Sequence, residues 1–145
     1  MKVNSENNSI PLCVDLDGTL IKSDSLVESI ILTFKYHPFI IFLIPFWLIK
    51  GKNYFKNKIC SYHTPDFSVA PFNPEIIDFI KTEKQNGREI VLITASVQKV
   101  ADDVSKHCNL FDRVLGSSET YNLRSHNKTK LLNQLYGEKN YDYIG

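Results

Sequence analysis

A short apolar run that ends in an aspartate limits the possible folds more than any other feature of this chain. Residues 10–14 read IPLCV, and Asp15 follows them directly. A second run, residues 89–93, reads EIVLI and is rich in β-branched side chains. Runs of this length and composition are typical of strands that helices cover on both faces of a parallel sheet. The sequence therefore predicts an α/β fold.

Helical patterns alternate with these predicted strands. Ser25 and Glu28 form an S-x-x-E pattern, which predicts a capping box at the start of a helix. Another helix is predicted from Pro74, with Asn73 as its N-cap residue and Gly87 just beyond its end. This alternation implies crossover connections, a parallel Rossmann-like sheet and ligand binding beyond the carboxyl ends of the strands. Further helices are predicted near residues 97–104 and 128–136, and further strands at 113–115 and 141–144.

The composition is that of an ordinary globular domain. Hydrophobic residues make up 43% and charged residues 23% of a chain of 145 residues, a length that suits one domain. The net charge of +1, without a basic cluster, argues against a nucleic-acid partner. The first ten residues are polar, and we expect no secretory signal in them. Cys13, Cys60 and Cys108 form no CxxC pair, which predicts free thiols in a reducing compartment, the cytoplasm.

The most apolar stretch, residues 39–49, reads FIIFLIPFWLI. It is well short of the roughly 20 residues that span a bilayer, and Pro45 interrupts it, so no transmembrane helix is expected. One interpretation is a hydrophobic helical hairpin that packs on its own domain. The other is a surface that faces a partner or the inner face of a membrane. Trp47 would then lie at the level of the lipid headgroups, together with Lys50, Lys52, Lys56 and Lys58.

The strongest chemical motif is the DLDGT turn at residues 15–19. Asp15 ends the predicted strand, where its carboxylate can attack phosphorus and form an acyl phosphate. Asp17 can protonate the leaving oxygen and then take a proton from the attacking water. Two neighbouring carboxylates repel each other, and Mg²⁺, which prefers oxygen ligands, would relieve that repulsion. Gly18 permits close backbone approach, and the neighbouring amides, with Thr19 next in the chain, can bind phosphate.

Two further side chains complete the predicted site. Thr94 ends the second predicted strand, where its hydroxyl can donate to a phosphate oxygen, and the amides of Ala95 and Ser96 follow. A fixed cation is also needed, because negative charge develops on phosphorus and on the nucleophile. Lys128 is preferred for this role because it opens the predicted KTKLL helix just after a polar loop. The basic residues that could fill this role are Arg124, Lys128 and Lys130.

As a set, the segments DLDGT, LITAS and KTKLL resemble the first three motifs of haloacid dehalogenase-type phosphatases. The resemblance implies that Asp15 is the nucleophile and that Asp17 is the general acid and base. It implies that Thr94 and Lys128 bind the phosphate. It also implies that Mg²⁺ is held by Asp15 and by Asp17, the latter through its backbone carbonyl.

The same resemblance implies a domain organisation and a reaction. Residues 24–72 would form a small helical cap inserted after the first strand, and residues 1–23 and 73–145 would form the core. The expected activity is hydrolysis of a phosphate monoester on a small phosphorylated molecule, through a phospho-aspartyl intermediate. Two alternatives stay open: a phosphotransferase with another acceptor than water, and a non-catalytic docking or membrane-associated module that keeps the fold.

A narrower resemblance concerns what would follow the chain. Residues 24–72 and the segment NLRSHNKTKLLNQLYG resemble the phosphatase-like domains at the amino end of ubiquinone-type membrane prenyltransferases. The fourth motif of the family is a strand, a Gly-Asp pair and a further aspartate, of which YDYIG matches the strand and the glycine at Gly145. The resemblance therefore implies a truncated domain that binds Mg²⁺ poorly and is nearly inactive. It also implies an exposed sheet edge that can pair with another copy.

Overall fold

The computed structural model describes residues 10–145, which form a parallel sheet with helices on both faces. The predicted α/β, Rossmann-like class is confirmed. Residues 1–9, which hold most of the polar leader, lie outside the described residues. In chain order the elements are β1 (Leu12–Val14), α1 (Ser25–Tyr36), a 3₁₀ helix (Pro38–Phe42), α2 (Ile44–Ile49), α3 (Lys52–Tyr62), α4 (Pro74–Gln85), β2 (Ile90–Val97), α5 (Gln98–Cys108), β3 (Arg113–Ser117), α6 (Ser125–Tyr136) and β4 (Asp142–Ile144).

The order of the strands locates the point where a ligand is expected to bind. The sheet runs β3-β2-β1-β4, and β1 pairs in parallel with both β2 and β4. The chain builds outward from β1 through β2 to β3 and then crosses back, by way of α6, to place β4 on the other side of β1. The direction of winding therefore reverses between β1 and β4. Open α/β sheets bind ligands beyond the carboxyl ends of the strands at such a reversal.

The side chains of the two central strands alternate between two hydrophobic cores. Leu12 and Val14 pack in one core with residues of α4 and α5, such as Ile80 and Val100. Cys13 points to the opposite face and packs with residues of β2 and α6, such as Leu132. Because both faces are covered, every position of β1 is buried. This accounts for the unbroken apolar run IPLCV, which lacks the alternation of a half-exposed strand.

The start of α1 differs from the prediction. Asp24, not Ser25, is the N-cap residue, and its Oδ1 accepts hydrogen bonds from the amides of Leu26 (2.9 Å) and Val27 (3.0 Å). Ser25 is the first residue of the helix and is fully buried. Its hydroxyl contacts Ser96, 71 positions later in the chain. The predicted capping box is therefore wrong, because a distant contact engages the hydroxyl that was assigned to the cap.

The four helical segments between β1 and α4 are called the cap helices below: α1, the 3₁₀ helix, α2 and α3. They enclose a small core of their own around Ile40, Trp47 and Ile59. Trp47 is buried, so its predicted position at the lipid headgroups is wrong. Within residues 10–145 no helix is both long enough and apolar enough to cross a bilayer. The boundaries of a separate cap domain, residues 24–72, stay a prediction.

Burial of Cys13 in β1 gives a testable dependence of stability on pH. Burial, and next the nearby charge of Glu89, raises the pKa of this thiol from 9.0 to about 12. Between these values the unfolded chain has lost a proton that the native chain keeps, so stability falls as pH rises. The slope for one such group is about 1.4 kcal/mol per pH unit. We expect Cys13→Ala to lose less stability than the wild type between pH 9 and pH 11 in urea unfolding.

A matched control for this experiment is Val14→Ala, on the opposite face of the same strand. Val14 has no titratable group, so this variant should lose stability by the same amount at every pH while keeping the wild-type slope. Parallel pH profiles of the wild type and Cys13→Ala would show that the buried thiol does not contribute the expected dependence.

Candidate active site

The DLDGT turn carries Asp15 to the carboxyl end of the central strand. The backbone amide of Asp15 donates to the carbonyl of Ile144 (2.8 Å), so Asp15 lies where β1 and β4 end together. Gly18 has a φ of +74°, in the left-handed region that favours glycine. Its amide donates to Ser23 (3.2 Å), and the amide of Thr19 donates to Leu16 (3.2 Å). In this structure these two amides, which were assigned to phosphate, are hydrogen bonded within the turn.

Asp15 is paired with a buried lysine. Its Oδ2 lies 2.6 Å from Nζ of Lys128, whose side chain is 8% exposed, while the carboxylate side chain is 22% exposed. Lys128 lies in the first turn of α6, the helix that crosses from β3 to β4. Lys130, two positions further on, is exposed to solvent. A lysine buried to this degree requires an opposite charge, and the structure brings Lys128, not Lys130, to Asp15.

A tyrosine that sequence reasoning did not select also contacts Asp15. Tyr143 of β4 pairs with Cys13 of β1, and its hydroxyl donates to Oδ2 of Asp15 (3.1 Å). Lys128 Nζ in turn lies 3.2 Å from the Tyr143 oxygen. Burial, and next the negative charge of Asp15, raises the pKa of Tyr143 well above its usual value. The tyrosine therefore stays protonated and can act as a hydrogen-bond donor to the carboxylate. The other oxygen of Asp15, Oδ1, accepts from the amide of Leu16 (2.8 Å).

Asp17 contacts a different set of groups, at the start of α1. Its Oδ1 accepts from the amide of Ser25 (2.7 Å), and its Oδ2 accepts from the hydroxyl of Ser96 (2.6 Å). The hydroxyls of Ser25 and Ser96 are 2.9 Å apart. A serine hydroxyl has one proton, so if Ser96 donates to Asp17, Ser25 must donate to Ser96. These donors fix the position of the Asp17 side chain at the start of α1.

The strand that carries Thr94 is longer than predicted, and it is irregular. β2 continues to Val97, and its pairing with β3 shifts between Ile93 and Val97, as in a β-bulge. Thr94 is fully buried, and its Oγ1 accepts from the amide of Ser96 (3.0 Å). The hydroxyl that contacts the DLDGT turn, at Asp17, is that of Ser96 and not that of Thr94. The roles of Thr94 and of the neighbouring Ala95 in binding phosphate stay predictions.

A cavity of about 440 Å³, called the cap cavity below, lies between the cap helices and the sheet. Nζ of Lys56, from α3, donates to the carbonyl of Ala95 at its floor. Burial, and next the positive charge of Arg124, lowers the pKa of Lys56. The apolar part of the wall comes from the cap helices. The residues that line the cap cavity are Asp17, Asp24, Leu26, Leu48, Lys52, Phe55, Lys56, Ala95, Ser96, Asn122 and Arg124.

A second cavity, also about 440 Å³, opens between β4 and α6 and is called the α6 cavity. Asp15 lines the α6 cavity, whereas Asp17 lines the cap cavity. The DLDGT turn therefore separates two pockets, each with one of the two carboxylates in its wall. The other residues that line the α6 cavity are Ser125, Lys128, Thr129, Leu132, Tyr141, Tyr143 and Gly145.

The donor atoms at the turn agree with the preferences of Mg²⁺, although they form a small set. Mg²⁺ is typically bound by one or two carboxylates, with waters and substrate phosphate completing its shell. Asp15 supplies a partly accessible carboxylate, and the resemblance implies that the backbone carbonyl of Asp17 would be the second ligand. Among residues 10–145 there is no group of three or more His, Cys, Asp or Glu residues placed to hold a metal ion. The Mg²⁺ site at Asp15 and Asp17 stays a prediction.

Solved structures with the same architecture identify the fold. A predicted phosphoglycolate phosphatase from Haemophilus somnus aligns with a TM-score of 0.57 and 14% identity, over 92% of this chain and 74% of that one. A HAD-family hydrolase from Salmonella enterica serovar Typhi gives 0.57 and 14%, over 93% and 56%. A protein of unknown function from Bordetella pertussis gives 0.60 and 12%, over 94% and 79%. The chain therefore has the haloacid dehalogenase fold.

Sequence comparison adds one longer relative. An uncharacterized protein of Sinorhizobium fredii, y4nM, is 36% identical over 133 residues, which cover 91% of this chain and 26% of that protein. The chain thus spans about a quarter of the length of this curated relative. No protein-family model matches the chain.

Three residues of the site were not singled out for it in the sequence: Ser25, Lys56 and Tyr143. Ser25 was assigned to a helix cap and Lys56 to a surface. Tyr143 lies in the YDYIG segment that was matched to the fourth motif, but it was given no role; pairing of β4 with β1 puts it beside the end of β1. Each is brought to the site by pairing or packing of distant segments, for which a single sequence holds no local pattern.

Proposed function

We propose that this chain is the catalytic domain of a hydrolase that cleaves a small phosphate monoester through phosphorylated Asp15. The observation that supports this most directly is the ion pair of Asp15 with buried Lys128, at the carboxyl end of β1 and at the reversal of the strand order. This position is where the fold concentrates ligand binding. A carboxylate held beside a fixed cation suits attack on an anionic phosphate.

In the first step an oxygen of Asp15 forms a bond to phosphorus, and the bond from phosphorus to the ester oxygen breaks. Lys128 and the Tyr143 hydroxyl, which both contact Oδ2, orient the carboxylate. The ammonium of Lys128 also offsets the negative charge that gathers on the phosphoryl oxygens. Mg²⁺ bound by Asp15 and Asp17 would supply further charge neutralisation.

Asp17 carries the proton transfers of both steps. In its protonated form it donates to the leaving ester oxygen, and as a carboxylate it then takes a proton from the water that attacks phospho-Asp15. Attack of that water on phosphorus releases phosphate and regenerates Asp15. Ser25 and Ser96 hold the Asp17 side chain toward the cap cavity, where a leaving group would lie.

The cap cavity suggests the class of substrate. Three basic residues, Lys52, Lys56 and Arg124, line it, together with Asp17 and Asp24. An anionic group bound among these cations would offset the excess of positive charge. Leu26, Leu48 and Phe55 add an apolar wall. We therefore propose a small phosphorylated molecule that carries a second anionic group and an apolar portion.

We also propose, as the resemblance implies, that the chain belongs to a longer protein with a membrane-embedded portion and with further Mg²⁺-binding carboxylates in a fourth motif. A calorimetric titration of Mg²⁺ measures how tightly Asp15 and Asp17 hold the metal.

The proposal is tested with Asp17→Asn and an aryl phosphate such as 4-nitrophenyl phosphate, in the presence of excess Mg²⁺. Nitrophenolate leaves without a proton, so this variant should still phosphorylate Asp15. It should fail to activate water, which we expect to lower steady-state turnover by roughly 10²–10³-fold. Acid quenching and peptide mass spectrometry should then find one phosphoryl group on the peptide that contains Asp15.

The matched control is Asp78→Asn, an exposed aspartate of α4, which should behave as the wild type. If Asp17→Asn traps no phosphoryl group while the wild type turns over, the phospho-aspartyl route is excluded. Products formed with added alcohols distinguish hydrolysis from transfer to another acceptor. Absence of turnover with any Mg²⁺ concentration would favour the non-catalytic module.

A further inference from the structure

The outward side of the apolar segment, residues 39–49, forms an exposed surface, called the cap face below. It consists of Phe39, Phe42, Phe46 and Ile49, whose exposed fractions are 81%, 72%, 65% and 83%. We propose that the cap face docks on an anionic membrane surface, independently of whether the site at Asp15 is catalytic. The proposed partner of the cap face is a lipid bilayer, not a protein.

Helical geometry directs Ile40 and Trp47 inward and leaves most other apolar residues of the segment exposed, among them Ile41, Leu43 and Leu48 beside the cap face. Leu43, between the 3₁₀ helix and α2, has helical backbone angles, so the right-handed turn continues through the junction. Ile40 and Trp47 point inward and are buried, with Ile44 packed against them. The cap-face residues recur three or four positions apart, the spacing of one side of a helix. Since the inward residues already fill the small core, the cap face is not needed for packing within residues 10–145.

The charges of the segment that carries the cap face are of one sign. Residues 29–65 contain five of the chain's 17 basic residues and none of its 16 acidic ones. Lys50 and Lys52, which are exposed, directly follow the cap face in the chain, and Lys35 is exposed at the end of α1. Lys56 is excluded from this set because its Nζ bonds to Ala95 in the cap cavity, whereas Lys52 borders that cavity but is exposed to solvent. Basic side chains beside exposed aromatic and aliphatic ones are the pattern of segments that lie in the headgroup region of anionic bilayers.

The same charges argue against a second copy as the occupant. A symmetric dimer through the cap face would bring the lysines of one copy toward those of the other, with no acidic residue of this segment to pair with them. Anionic headgroups provide the opposite charge, and the acyl boundary accepts the phenyl rings. Cytoplasmic leaflets carry anionic lipids, so the surface implied is the inner face of a membrane.

The test is flotation of the 145-residue chain with two kinds of vesicle. One contains phosphatidylcholine and phosphatidylglycerol in equal parts, and the other contains phosphatidylcholine alone. We expect binding to the anionic vesicles, at least tenfold weaker binding to the neutral ones, and a decline as salt is raised. Equal binding to both vesicles, or none to the anionic vesicles, would overturn the proposal.

Paired variants identify the surface. Phe42→Ser combined with Phe46→Ser should weaken binding to the anionic vesicles at least tenfold, with an unchanged far-UV spectrum and melting temperature because both side chains are exposed. Val69→Ser, at a site 78% exposed and outside the cap helices, should leave binding unchanged. Equal weakening by both variants would contradict the assignment. A wild-type dimer in sedimentation equilibrium that Phe42→Ser with Phe46→Ser converts to a monomer would overturn it in favour of a second copy.

Discussion

Asp15→Asn is expected to abolish measurable phosphatase activity, with kcat reduced by roughly 10⁴-fold or more, as for loss of an enzyme nucleophile. The amide lacks the negative charge needed to attack phosphorus. It can still accept from the Leu16 amide and contact Tyr143, so the turn should keep its geometry. The measurement is steady-state hydrolysis of an aryl phosphate with Mg²⁺, together with quenched-flow detection of phosphorylated protein.

Two comparisons make the Asp15→Asn result specific. Asp102→Asn, on α5 and outside both cavities, should retain full activity. Asp15→Glu keeps the charge and moves it by one methylene, so it should be far less active than the wild type if attack geometry is essential. Retention of activity in Asp15→Asn would place the chemistry elsewhere and would remove the basis of the proposed mechanism.

Lys128→Met is expected to have the second largest effect. It removes the cation from a side chain that is 8% exposed and leaves Asp15 with Tyr143 and the Leu16 amide as partners. Loss of a fixed charge at the transition state should lower kcat by roughly 10²–10³-fold. We expect a destabilisation of about 2 kcal/mol, which is less than the roughly 3–5 kcal/mol of a fully buried pair, because Asp15 still reaches solvent.

The control for this variant is Lys130→Met, which alters an exposed lysine on the same helix. It should change neither kcat nor stability beyond about 0.5 kcal/mol. Lys128→Arg should recover stability better than activity, because a planar guanidinium cannot reproduce the single short contact to Oδ2. If Lys128→Met keeps wild-type kcat while it loses stability, Lys128 has a structural role only.

Some local sequence patterns predicted the helices and strands correctly, and others misplaced their ends. The runs IPLCV and EIVLI were identified as strands because burial on both faces leaves a continuous apolar stretch, and both form central strands of the sheet. The length of β2 was underestimated, since the polar residues Thr94 and Ser96 continue the strand through an irregular pairing. The N-cap of α1 was misassigned because Asp24 and Ser25 are both good N-cap residues and are adjacent in the chain.

The apolar segment illustrates a different limit. Its composition predicted either internal packing or an exposed surface, and the structure contains both, on opposite sides of one helical path. The second interpretation placed Trp47 on the exposed side, at the level of the lipid headgroups. Trp47 is buried against Ile40 and Ile59 instead. Which residues of a uniformly apolar segment point inward depends on how the segment packs on its neighbours, and its own sequence does not encode that direction.

By itself, the sequence determined the parallel α/β sheet and an acidic turn at the end of its first strand. Both depend on local patterns: apolar runs, helical spacing and a DxDGT motif within a few residues. Only the tertiary structure decided which cation meets Asp15, which hydroxyl meets Asp17 and which basic residues line the cap cavity. The contact of Ser96 with Asp17 joins positions that are 79 residues apart, and that of Lys56 with Ala95 joins positions that are 39 apart. Lys128 and Asp15 lie near opposite ends of the chain. Strand order and helix packing bring these residues together. Their side chains come into contact only after distant segments have paired and fixed the direction of each side chain, so local sequence patterns do not reveal the contacts.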